Sequence, residues 1–171
     1  MASAVISDTL TAACPAYNRL KQQTVRYDTS IRETERIALT HALYCPTCQP
    51  IADRIRQQRT DAAVADACDA AGDVIDVNGY QSTYLWNVKQ EQAGTPLKQC
   101  AVDVAGAILV AVHGTPRHLG SPLTRAAERI LASRAQAPSL AAWSSYPGNG
   151  KAQAMQLLRD TADELQAGVT A

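Results

Sequence analysis

Apolar residues recur every three or four positions along most of this chain, the spacing that buries one face of an α-helix. The pattern is clearest over 95–113, where Leu97, Cys100, Ala101, Val104, Ile108, Ala111 and Val112 form a broad apolar face. Thr95-Pro96 supplies a cap and a first-turn proline for this helix, and Gly114 with Pro116 ends it. Upstream, 5–26 reads as a helix interrupted at Cys14-Pro15, because proline removes a backbone donor. Ser30 opens the next helix, with Ile31, Ile37, Ala38, Ala42 and Leu43 on its apolar side, and Pro46 ends it just after Cys45. Pro50 starts another, running through Ile51, Ile55, Ala62, Val64 and Ala67 to Ala71-Gly72. The glycines and asparagine in 72–81 predict a loop, followed by a short helix from near Ser82 to before Gly94. Ser121-Pro122 opens a helix through Leu131, and Gly148 and Gly150 precede an amphipathic helix at about 151–167. Residues 18–23 faintly echo 53–58, but two copies do not make a solenoid.

Composition supports an all-α reading of one compact multi-helix bundle over 1–171. Of 171 residues, 46% are hydrophobic and 19% charged, which excludes a disordered chain. Phe is absent. Alanine is abundant; it favours helix and fills little core volume, so closely packed helices are expected. Sixteen basic and sixteen acidic residues balance, giving no electrostatic reason to expect nucleic acid as a partner. No apolar run has the length of a membrane span, and the first residues lack the pattern of a signal peptide, so no membrane association and a cytoplasmic location are expected.

Five cysteines leave at least one unpaired within the chain. In a reducing compartment a close pair is more often catalytic or metal-binding than a structural staple. Cys45-Pro46-Thr47-Cys48 is such a pair. With its second cysteine opening a helix, the helix N-terminus favours a thiolate, and two neighbouring thiols can attack and resolve a disulfide. A structural disulfide or inert thiols, and a zinc site, are the alternatives. Zinc usually takes four ligands, and Cys14, Cys68 and Cys100 reach the pair only through tertiary approach. Cys14, Cys68 and Cys100 otherwise read as small buried hydrophobes, and His41, His113 and His118 as surface or satisfied core residues. Tyr146–Ala152 lacks the first glycine and the final hydroxyl of a phosphate loop, which rules that motif out.

The stretch Arg32–Cys48, with an acidic residue in a helix, an apolar run and then C-x-x-C entering the next helix, resembles the core signature of the AhpD-like alkylhydroperoxidases in the carboxymuconolactone decarboxylase superfamily. Glu33, twelve residues before Cys45, matches the family's catalytic glutamate. More loosely the resemblance extends over about 15–120, leaving 121–171 as a helical extension. Ala52 stands where the family usually has a histidine after the second cysteine, and Thr47 where one sometimes lies inside the pair. The usual proton relay is thus incomplete; His41, four residues before Cys45, is the substitute on offer. The resemblance implies an AhpD-like fold, a homo-oligomer, and a thiol-dependent peroxidase or disulfide oxidoreductase fed by a thiol electron donor. Within it Cys48 is the attacking thiolate, Cys45 the resolving thiol and Glu33 the base, with no cofactor and no metal. Glu33 also has a plainer role, completing a capping box with Ser30. A non-catalytic helical binding or assembly module is the alternative function. A thioredoxin-like fold would require 37–44 and 108–112 to be strands, against their helical period and caps.

Overall fold

The computed structural model describes residues 6–24 and 29–170. They form α1 (Ile6–Ala13), α2 (Pro15–Thr24), α3 (Ile31–Tyr44), α4 (Gln49–Asn78), α5 (Val88–Gln92), a 3₁₀ turn (Leu97–Gln99), α6 (Val104–His113), α7 (Pro122–Arg134), α8 (Leu140–Ser145) and α9 (Lys151–Thr170). No strand occurs among the described residues; Tyr80 and Trp86 each make only an isolated bridge to Val102. The fold is therefore all-α. Residues 37–44 and 108–112 are helical, as their period predicts. Among the described residues no helix is long and apolar enough to cross a membrane.

The chain divides into two compact units, residues 1–59 and 60–171, with α4 contributing to both. In the first, α1 packs on α2 and α3. Pro15 separates α1 from α2, as expected, leaving Cys14 at the break; positions 5 and 25–26 of that expected helix lie outside the described residues. Ser30 caps α3 by accepting from the Glu33 amide at 3.2 Å. The reciprocal half of the capping box is replaced by an ion pair, because the Glu33 carboxylate turns to Arg36. Glu35 ties three segments together: it accepts from the Ile6 amide at 3.2 Å and pairs with Arg59 at 3.0 Å. The core of this unit is small. It comprises Ile6, Leu10, Cys14, Tyr17, Ala38, Ala42, Cys48, Ala52 and Ile55.

In the second unit α7 packs on α6, α8 and α9. Its core is larger and includes Val64, Ile75, Val102, Val104, Ile108, Leu131, Leu140, Trp143 and Leu158. Three expectations need correction in this unit. The loop expected over 72–81 is helix as far as Asn78, since Ala71 and Ile75 are buried together and open space around Gly72 makes no demand for a break. Gly79, at φ 91°, is the actual stop, the left-handed position a glycine accepts without strain.

The continuous helix expected over 95–113 is interrupted at 100–103. There the Val102 amide donates to Gly79 O and the Ala101 amide to Gln90 Oε1. Asp103 restarts the helix by accepting from the Gly106 amide at 2.6 Å, a side-chain cap that outcompetes the upstream turn. Gly106 itself is required by space: a Cβ there would lie 1.9 Å from the Leu85 carbonyl oxygen. The helix expected from Ser82 shrinks to α5, capped by Asn87. The 3₁₀ turn and α8 were not anticipated. By contrast α7 starts at Ser121-Pro122 with a full capping box, and α9 follows Gly150, both as the sequence predicts.

Candidate metal centre

Two helix junctions of the first unit, α1 to α2 and α3 to α4, converge on one point. Cys14 lies between α1 and α2, Cys45 caps the C-terminus of α3, and Cys48 precedes the first residue of α4. His41 lies one turn before Cys45, the spacing that puts two side chains on one face. The ligand-type atoms of Cys14, His41, Cys45 and Cys48 all lie within 4.8 Å of one another. Cys14 Sγ is 3.6 Å from His41 Nε2 and 3.9 Å from Cys45 Sγ.

The local backbone turns amides toward these sulfurs. A tight turn closes between Cys45 and Cys48, with the Cys48 amide 3.0 Å from Cys45 O. The Cys48 and Thr47 amides also face the Cys45 sulfur, and with the neighbouring thiols they hold the Cys45 thiol below its ordinary value. The Tyr17 amide donates to Cys14 Sγ at 3.4 Å. Cys48 is the opposite case: burial, with Cys14 and Cys45 close by, pushes its thiol up to about 12. Of the two, Cys45 is therefore the more readily ionised.

The remaining residues singled out in the sequence lie elsewhere. Glu33 is half-buried and bound to Arg36, which holds its carboxyl below the usual range, and it is not one of the four clustered residues. Cys68 is buried in the second unit, and burial pushes its thiol up to about 12. Cys100 is also buried there, with its sulfur 3.6 Å from Pro96 O. His113 and His118 stack on each other with centroids 3.6 Å apart. Sequence reasoning treated Cys14 as a small core residue. The available signal was its place immediately before Pro15, where two helices must part.

The donor set can be tested for a metal. Tetrahedral zinc with sulfur at about 2.3 Å and nitrogen at about 2.0–2.1 Å puts ligand atoms about 3.8 Å (S to S) and about 3.6 Å (S to N) apart. Two of the six separations, 3.9 Å and 3.6 Å, match these values, and the other four lie within 4.8 Å. Three thiolates and one imidazole form a soft-to-borderline set that suits zinc better than calcium or magnesium, which favour oxygen.

Fold and site define an all-α protein of two units, the first gathered around a compact Cys₃His cluster. Residues 59–164 match the model of DUF6197, a family of unknown function, and the chain belongs to that family. The matched region covers most of the second unit and excludes all four clustered residues. No curated protein and no solved structure matches the chain.

Proposed function

We propose that the first unit is a zinc-organised helical binding module, with Cys14, His41, Cys45 and Cys48 as the four ligands of a structural site. The approach of all four donor atoms to within 4.8 Å carries this reading. Four protein donors fill a tetrahedral shell and leave no open position for substrate, the mark of a structural rather than a catalytic zinc. The small core gives a reason for the metal. Among its members Tyr17, Ile6 and Leu10 are the largest fully buried side chains, and two of the others are the ligands Cys14 and Cys48. Units of this size commonly need a metal or disulfide to stay folded. Bound zinc would also turn the thiol of Cys48, costly to ionise when buried, into a metal thiolate.

Metal analysis of the full chain tests this: about one zinc per chain is expected, with cobalt substitution giving the absorption of a tetrahedral thiolate site. A chain purified under metal-replete conditions that holds no zinc, and binds no cobalt, refutes it.

The thiol-dependent oxidoreductase implied by the AhpD-like resemblance remains a second reading, favoured by the half-exposed Cys45 and its lowered thiol. It requires multiple turnovers of peroxide or disulfide by the metal-free chain with a thiol donor. A single-turnover result excludes it.

A further inference from the structure

The four ligands are not equally shielded. Cys14 and Cys48 are buried, whereas Cys45 and His41 are partly exposed. These two also line an open pocket of about 390 Å³ on the first unit, together with Leu20, Ile37, Thr40 and Tyr44. One sulfur of the cluster is thus reachable from solvent. It has a second sulfur, that of Cys14, at 3.9 Å, and a third, that of Cys48, across a single tight turn. A three-residue step closed by such a turn keeps two Cα atoms within about 7 Å, which meets the reach of a disulfide.

We propose that Cys45 is a peroxide-reactive modification site whose oxidation to a disulfide with a neighbouring cluster cysteine expels the zinc. The inference rests on the zinc reading of this site. The steps balance with hydrogen peroxide as oxidant. The Cys45 thiolate attacks one peroxide oxygen; an S–O bond forms, the O–O bond breaks and hydroxide leaves, giving a sulfenic acid. The thiolate of Cys14 or Cys48 then attacks that sulfur; an S–S bond forms, the S–O bond breaks and a second hydroxide leaves. Two thiolates have lost two electrons, and the peroxide has gained them. Zinc keeps at most one thiolate and the imidazole, too few protein ligands for a stable structural site. Reduction by a dithiol restores both thiolates and the capacity to rebind metal. Exposure selects Cys45 for the first step, since buried Cys14 and Cys48 offer peroxide no direct path.

Zinc-loaded full chain is titrated with hydrogen peroxide, release is followed with a chromogenic chelator, and disulfides are mapped by mass spectrometry. About one equivalent of peroxide should release the bound zinc and yield a disulfide containing Cys45. Cys45→His retains four donors and removes the exposed thiol, so its release should slow at least about tenfold. Cys68→Ser and Cys100→Ser should release zinc as the parent does. Zinc retained under excess peroxide overturns the proposal, as does a Cys14–Cys48 disulfide or unchanged release from Cys45→His. A chain that takes up neither zinc nor cobalt instead refutes the metal reading on which this one stands.

Discussion

The two units hold their helices together by different means. The second buries a continuous apolar cluster drawn from α4, α6, α7, α8 and α9, and its two cysteines are isolated small core residues. The first has a handful of large buried side chains, and cysteine occupies core positions beside them. Where apolar area is plentiful a polar cluster adds nothing; where it is scarce, four convergent donors can supply the missing cohesion through a metal. A practical asymmetry makes the contrast measurable. Both tryptophans, Trp86 and Trp143, belong to the second unit, so their fluorescence reports that unit alone while far-ultraviolet dichroism reports both.

The largest expected effect comes from removing the metal. Structural zinc sites supply on the order of 10–16 kcal/mol of apparent binding energy, more than so small a core can replace. Strong chelation, or Cys14→Ser, should abolish the helical dichroism of the first unit and leave tryptophan emission unchanged. Unaltered dichroism would show that the first unit stands without zinc.

Next comes steric overfilling in the second unit. Gly106→Ala drives a methyl group into the Leu85 carbonyl, and overpacking against backbone should cost about 3 kcal/mol or more. Denaturation monitored by tryptophan should show this loss, with zinc content unchanged.

Acidity should then separate the units by sign. Burial raises the Asp103 carboxyl from 3.8 to about 6. A raised folded value means that the contribution is fully present below the unfolded value and is lost as pH rises through about 6. Acidification from pH 7 toward 4 should therefore stabilise the second unit through Asp103, by up to about 3 kcal/mol. Asp103→Asn, which keeps a carbonyl to accept from Gly106, should flatten that dependence. The first unit should respond the other way, since protons compete with zinc for thiolate and imidazole. Parallel acid responses in dichroism and fluorescence would erase the contrast.

The smallest effect is expected at Glu33. Glu33→Gln removes an exposed pair with Arg36 and should leave zinc content and peroxide sensitivity unchanged. A marked loss of thiol reactivity would instead bring the carboxylate to the sulfurs and revive the oxidoreductase reading.

Helix existence was legible wherever a local signal fixed an end. Pro15 parted α1 from α2, Ser30 opened α3, Ser121-Pro122 opened α7, and each acts through its nearest neighbours. Errors arose where distant contacts decided. Gly72 reads as punctuation but lies inside α4, and the apolar run over 95–113 is broken because Gly79 and Gln90 claim the amides of Val102 and Ala101. The candidate site was half legible. His41, Cys45 and Cys48 are local, so their spacing announced them. Cys14, 31 residues before Cys45, is brought in only by the packing of α1 on α3, and no periodicity encodes that approach.

That long separation bears on how the first unit assembles. His41, Cys45 and Cys48 span two turns of chain and can seize a metal ion before any distant segment arrives, whereas Cys14 must close a much larger ring, at a loop-entropy penalty. Coordination would then proceed from three donors to four, with α1 and α2 joining last. The leading hairpin should be the first segment a protease clips when metal is limiting, and its cleavage rate a sensitive gauge of how much zinc is at hand.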